Sequence, residues 1–384
     1  MFLKGEKKRL RILILSCNTG EGHNSAAFAV ADSFEKNNVE CIVKDALAFW
    51  SPEKSKIISK GHVFLYRRMP KFFGMSYRFE ENHPAKEGEE SLMYDLVTKG
   101  CKALKAHLDS EKYSAVLCTH VFSAMMITEI KKKFGLDIKS YFISTDYTCT
   151  PGVSETRLDV YFLPHRLLAE EFYKNGIKAD TLVPAGIPVR RDFYTKIDKK
   201  AARKKIGIPE AEKMVLLTCG SMGCGPIKKL AQLLSLQLSS DTVLTVICGS
   251  NRRLYKSLIK LNLSENIRIV GYTKRMSVYM DAADIILTKP GGLSSTEAAA
   301  KKLPMIFINA VPGCETRNLE FFVTNGFAEH RDSLEELAML VCDYSSDIEK
   351  INMKSQKLHS EFFECTSDFI CEYVLNDVKE VVPV

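Results

Sequence analysis

The chain has 384 residues, 46% hydrophobic and 26% charged, with a formal net charge of +7. That is the composition of an ordinary soluble globular protein, with a length suited to two or three domains and a full core. Its twelve cysteines form no C-x-x-C pair and no cluster with histidine, which excludes a zinc motif. The thiols read as reduced and mostly buried, in a cytosolic protein.

The start, "MFLKGEKKRLRILILSC", has charge first and then an apolar run too short for a signal segment or a membrane span. "RILILSC" is therefore expected as a buried strand. "NSAAFAVADSFEKNN" follows as a helix and "VECIVKDA" as a strand, and "SAVLCTH", "IKSYFIST" and "LDVYFLP" are further strands. Uniformly apolar strands separated by helices predict a parallel sheet covered on both faces. The pattern restarts in the second half. "KMVLLTCGSMGCGP", "DTVLTVICGSNRRL", "NIRIVGYT", "ADIILTKPGG" and "PMIFINAVPG" each read as a strand running into a turn. "VPAGIPVRRDFYTKID" between the halves is a hinge candidate. The last stretch, "LHSEFFECTSDFICEYVLNDVKEV", reads as one amphipathic helix. The expected class is α/β, two doubly wound domains over a cleft: residues 1–186, residues 187–360, and 361–384 as a helix able to cross back.

Ligands in such sheets bind where glycine turns cluster at the carboxyl ends of strands. Three turns in the second half fit: Gly220-Ser221-Met222-Gly223, Gly249-Ser250-Asn251 and Gly291-Gly292. Singly, each serves as a strand-to-helix connection. Together they suggest a nucleotide-diphosphate site, because glycine lets the backbone approach a ligand and helix N-termini attract phosphate. After Pro290 and the paired glycines come Ser294, Ser295 and Thr296 as caps or phosphate donors, then Glu297 in the first helical turn. Glu297 is either a charge complementing the helix dipole or an acceptor for ribose hydroxyls. No Walker pattern occurs, which disfavours an NTPase.

The first half opens differently, on "NTGEGHNS". Gly20 and Gly22 fit the start of a dinucleotide fingerprint, Ser25 stands in its third glycine place, and Asp45 falls where a ribose acid would. A dehydrogenase reading therefore stays open. His23 argues for a different chemistry, because a histidine at a glycine elbow can carry a proton near neutral pH. Between Lys54 and Phe79 run seven basic residues and no acid, interleaved with aromatics. Arg67, Arg68, Lys71, Phe72 and Phe73 are its centre. Cations near an anionic leaflet and aromatics at its interface suit a reversible membrane dock. The competing readings are a core helix with a solvated face, or single-stranded nucleic acid, for which no RNA-binding signature is present.

The combination "NTGEGH", "STDY", "GIPV", "CGSN", "TKPGG…STEA" and "VPGCETRN" resembles glycosyltransferase family 28, and within it the diacylglycerol glycosyltransferases, over nearly the whole chain. The resemblance implies the GT-B fold, two facing Rossmann-like domains with the sugar nucleotide mainly on the second. It implies that Gly291, Gly292 and Ser294 line the diphosphate with Gly220 and Ser221 near it, that Glu297 holds the ribose, and that Gly271 and Tyr272 meet the uracil. Gly249 and Asn251 belong to the same donor side. Glu315 and Asn318 match positions that contact the donor sugar, His23 lies in the acceptor-side loop, and Asp146 and Tyr147 match "TDY". Two departures stand out. Cys314 replaces the family's usual glutamine before the acid, and Asn18 stands where many members have aspartate, which shifts the role of base to His23 or Asp146.

The activity so implied is inverting transfer of a hexose from UDP-glucose or UDP-galactose to diacylglycerol or a glycolipid. No cofactor is expected, and the absence of a D-x-D motif argues against a metal. The protein is expected on the inner face of the cell membrane, without nucleic acid as partner. The alternatives are a MurG-like N-acetylglucosamine transferase acting on a polyprenyl-linked acceptor, a nucleotide-sugar epimerase or dehydrogenase, and a non-catalytic membrane-binding protein.

Overall fold

The computed structural model describes residues 10–69, 72, 74–75, 77–79, 90–208, 213–220, 223, 225–261, 263–362 and 365–381, with backbone alone at 62, 63, 65–68, 380 and 381. It divides into two compact units. The first runs through Thr145 and adds Cys149–Arg190 and the chain from Cys365; the second holds Asp146–Thr148 and Arg191–Glu364.

The first unit is built on strands β1 (Arg11–Ser16), β2 (Glu40–Asp45), β3 (Ala115–Cys118), β4 (Lys139–Ile143), β5 (Val160–Leu163) and β6 (Leu182–Pro184). They lie in the order β2-β1-β3-β4-β5-β6, all parallel. Ile12, Ile14, Leu117, Tyr141 and Phe162 are fully or nearly fully buried beneath Ala27, Val30 and Phe34 of the Glu21–Lys36 helix. Each such side chain contributes about 1.5–3 kcal/mol when buried.

The C-terminal stretch is not one helix. A helix ends at Glu361 and another runs Thr366–Val381. The second packs Ile370, Val374 and Val378 into the first unit's core. Asp377 there accepts from Lys139 Nζ at 2.8 Å and Tyr141 Oη at 2.6 Å, and Asp368 accepts from Ser33 Oγ at 2.8 Å.

The second unit repeats the plan with β7 (Lys213–Thr218), β8 (Thr242–Ile247), β9 (Ile267–Val270), β10 (Ile285–Thr288), β11 (Met305–Phe307) and β12 (Ala328–His330). Their order is β12-β11-β10-β7-β8-β9, again parallel. The strand order reverses around β1 in one unit and β7 in the other. Such a switch point opens a crevice at the strands' carboxyl ends, and the quoted glycine turns lie there.

Candidate active site

In the first unit, the helix after β1 starts at Glu21, three residues earlier than the sequence suggested. His23 therefore sits in its first turn and not in the glycine turn before it. Gly20, the N-cap, is extended at φ −176°. The ring is fixed through Nδ1, which lies 3.0 Å from the Thr119 carbonyl oxygen and 2.8 Å from Thr145 Oγ1. A carbonyl can only accept, so Nδ1 carries the hydrogen and Nε2 is the basic nitrogen of the neutral ring. His120 meets His23 edge-on, with centroids 4.5 Å apart. The neighbouring polar groups satisfy one another. Ser16 Oγ donates to Asn24 Oδ1 at 2.7 Å, Asn24 Nδ2 to Asn18 Oδ1 at 2.9 Å, and Asn18 Nδ2 to Asp45 Oδ2 at 2.9 Å. Asp45 also accepts from Leu47 N at 3.1 Å and Ser55 Oγ at 2.5 Å. Both its oxygens thus accept local hydrogen bonds.

In the second unit, β10 is followed by Lys289-Pro290-Gly291 and then by the helix Gly292–Ala300. A methyl added at Gly291 would stand 3.1 Å from Ser294 Oγ and 3.8 Å from both Glu315 Oε1 and Lys289 Cε; one at Gly220 would stand 3.1 Å from Lys289 Cε. The two glycines therefore border the same lysine. Lys289 Nζ bonds Glu315 Oε1 at 2.5 Å, both side chains being largely buried, and Glu315 Oε2 accepts from Val311 N at 3.0 Å. Burial works against the ammonium, but Glu315 outweighs it and the Lys289 pKa lies above its ordinary value. Glu315 and Asn318 belong to the helix Cys314–Thr324, whose N-cap Gly313 has φ 121°.

Asp146 and Tyr147 are built into this unit by Asn318. Its Nδ2 donates to Asp146 Oδ1 at 2.9 Å, and its Oδ1 accepts from Tyr147 N at 2.6 Å. Tyr147 Oη pairs with Thr296 Oγ1 at 2.7 Å, and its ring stacks on Phe321. Burial pushes the Asp146 carboxyl up to about 6. Glu315 adds to the push, while hydrogen bonds from Asn318 and the Cys314 thiol, and the charge of Lys289, oppose it. Burial beside Asp146 and Glu315 pushes the Cys314 thiol up as well, so it stays protonated.

The structure thus brings together Gly220, Gly291, Ser294, Glu315, Asn318 and Asp146. Gly292 opens the helix and is buried; Glu297, half-buried, lies one turn on. Gly249, at φ +57°, precedes Asn251, which joins two turns: its Nδ2 donates to Gly223 O at 2.9 Å and its Oδ1 caps Leu254 N at 3.0 Å. Gly271 follows β9, and Tyr272 is exposed. Ser221, Lys71 and Phe73 lie outside the described residues, as do the side chains of Arg67 and Arg68. In that stretch Ile57, Phe64, Met69, Phe72, Met75 and Phe79 are exposed, so these residues do not form a core. Sequence reading missed Lys289, although it stands two residues before Gly291, and Thr145, whose contact with His23 is non-local. Among the described residues no group of three or more His, Cys, Asp or Glu side chains could hold a metal, and no helix is long and apolar enough to cross a membrane.

Two α/β units with parallel six-stranded sheets, each with its turns at a switch point, define the GT-B architecture. Residues 23–189 match the family model for monogalactosyldiacylglycerol (MGDG) synthase, and residues 214–359 match the glycosyltransferase family 28 C-terminal domain. The chain belongs to glycosyltransferase family 28, in its diacylglycerol glycosyltransferase branch. It is 28% identical over 352 residues to a processive diacylglycerol beta-glucosyltransferase of Bacillus mycoides, covering 90% of this chain and 89% of that one. A Staphylococcus aureus protein of the same name is 26% identical over 373 residues, covering 95% and 92%. Among solved structures, MurG of Acinetobacter baumannii superimposes with a TM-score of 0.61 at 13% identity, covering 97% of this chain and 100% of that one. That likeness concerns the fold.

Proposed function

We propose that the protein transfers a hexosyl group with inversion from a UDP-sugar to the hydroxyl of diacylglycerol or a short glycolipid. The observation that carries this reading is identity at 28% across nine-tenths of the chain with a protein named for that reaction. Glucose is the donor sugar the relatives' names favour. In this reading the amides of Gly220, Ser221, Gly291 and Gly292, with Ser294, hold the diphosphate, and the helix dipole opposes its charge. Gly249 and Asn251 shape the adjoining turn. Glu297 takes the ribose, Gly271 and Tyr272 the uracil, and Glu315 and Asn318 the sugar hydroxyls.

His23 Nε2 accepts the proton of the acceptor hydroxyl, with Nδ1 anchored on Thr119. The freed oxygen bonds the anomeric carbon as the bond to the diphosphate breaks, and the electron pair leaves with UDP. Fixed donors aimed at the leaving oxygens supply the electrostatic share of catalysis, and Lys289 adds a full positive charge beside Gly220 and Gly291. Asp146, held by Asn318, is the second candidate for a proton carrier. The acceptor stays in the bilayer, so the protein works as a peripheral enzyme on the inner face of the cell membrane. The stretch 54–79 docks it, with Arg67, Arg68, Lys71, Phe72 and Phe73 at its centre and Phe64 and Phe79 exposed beside them.

The test is incubation with labelled UDP-glucose or UDP-galactose in vesicles containing diacylglycerol, followed by thin-layer chromatography of the lipid fraction. Label in a glycolipid spot is expected, more from UDP-glucose. Interconversion of the nucleotide sugars with no labelled lipid would replace this reading with an epimerase.

A further inference from the structure

Residues 252–275 contain seven basic side chains and one acid, Glu265, so this one segment carries six of the chain's net seven positive charges. The helix Arg252–Ile259 opens it. Leu254 and Leu258 turn inward onto the second unit's core. Arg252, Arg253, Lys256, Ile259 and Lys260 are exposed on the outside, with Ile259 56% accessible. Tyr255, 38% accessible, covers Gly271, 3.9 Å from where a methyl would stand there. It thereby joins the helix to the following turn, where Lys274 is also exposed.

Some lysines of this unit meet acids: Lys229 meets Glu335 at 2.9 Å and Lys350 meets Asp343 at 2.6 Å. None of Arg252, Arg253, Lys256 and Lys260 has an ion pair among the described residues. Arg252 and Lys256, and Lys256 and Lys260, are like charges four apart, a spacing that costs about 0.2–0.5 kcal/mol per pair on a helix. A solvated face has no use for that repulsion or for a bare isoleucine at its centre. An anionic bilayer surface compensates both, because its phosphates meet the cations and its acyl boundary takes the apolar side chain. Single-stranded nucleic acid fits less well, since it stacks on aromatic faces and the most exposed apolar side chain of this helix is aliphatic.

We propose that the outer face of the Arg252–Ile259 helix is a second membrane-contact surface, carried by the donor-binding unit and selective for anionic lipid. It is separate from the basic-aromatic stretch of the first unit and does not depend on the acceptor being diacylglycerol. The test uses the full chain and vesicles of phosphatidylcholine with or without phosphatidylglycerol, with neither donor nor diacylglycerol present. A cation at an anionic surface is worth about fivefold in partitioning. Arg252→Gln/Arg253→Gln/Lys256→Gln/Lys260→Gln should therefore weaken binding to the anionic vesicles at least about tenfold, with UDP binding unchanged as proof of folding. The Lys/Arg-swapped form (Arg252→Lys/Arg253→Lys/Lys256→Arg/Lys260→Arg) should bind as the parent does, and Ile259→Ser should lower the part of binding that survives high salt. Unchanged vesicle binding by the neutralised variant overturns the proposal. So does an equal loss on pure phosphatidylcholine, or a loss confined to a single-stranded RNA probe. Failure of the labelled-sugar assay leaves this outcome untouched, so the two readings fall separately.

Discussion

After β1, the chain spends its polar side chains on one another and anchors an imidazole through Nδ1. Its N-cap glycine is extended, and a methyl there would meet nothing within 4 Å. After β7 and β8, the turns need glycine for its conformation. Gly220, Gly223 and Gly249 have φ of 65°, 55° and 57°, and a methyl at Gly223 would stand 2.2 Å from the Cys248 carbonyl. The side chains beside them form a buried ion pair. Motifs that look alike in letters thus do different chemistry: one turn presents a proton acceptor, the other a rigid frame of partial and full charges. The first tolerates change in its backbone and depends on one side chain; the second depends on its backbone.

The sharpest way to break that contrast is His23→Ala. If the imidazole is the base, turnover should fall about 10²–10⁴-fold while UDP binding measured by calorimetry stays put. A loss of UDP affinity as large as the loss of rate would make the residue part of the donor frame.

Lys289→Met comes next. It strands Glu315, and breaking a buried pair costs about 3–5 kcal/mol, so the urea midpoint should drop. Adding Glu315→Gln should recover much of the stability but not UDP-sugar affinity. Full recovery of both would reduce the lysine to a packing role.

How much of this was legible beforehand follows the range of the interactions. Parallel strands and glycine turns are local patterns, and "KPGG" and "GCETRN" stood out because a turn needs neighbours in sequence. The helix start at Glu21 was missed, because neither glycine of "GEGH" needs a left-handed conformation and Gly22 continues the helix. The break between Glu361 and Thr366 was hidden by an amphipathic pattern that runs through it. The assembly of Asp146 and Tyr147 with Asn318, some 170 residues away, has no local signature. Nor does the Thr119 carbonyl that fixes the His23 tautomer.

A third test asks whether the second unit also carries a proton. The native Asp146 carboxyl titrates at about 6, against 3.8 for the free group. Between those values the native state binds more protons than the unfolded one, so stability falls as pH rises through the window and levels off above it. The difference is on the order of 3 kcal/mol. Denaturation midpoints from pH 4 to 7 should show the slope, and Asp146→Asn should abolish it. If the rate rises through the same window and loses that limb in Asp146→Asn but not in His23→Ala, the base belongs to the second unit and the contrast between the turns collapses.

Cys314→Gln has the smallest expected effect and bears on donor choice. The thiol is a weak donor, and here it points its hydrogen at Asp146. A glutamine has a longer reach and a stronger amide, able to bond a sugar hydroxyl in place of the carboxylate. Exchanging one neutral hydrogen bond is worth about 0.5–1.5 kcal/mol, so the UDP-glucose to UDP-galactose ratio of kcat/KM should move by up to about tenfold. Asp146 should also titrate higher, because it loses one of the three influences holding its carboxylate down. An altered sugar ratio with no change in the Asp146 slope would mean that residue 314 reads the sugar directly. A shifted slope with an unaltered ratio would mean that it serves the carboxylate alone, and that selectivity rests on Glu315 and Asn318.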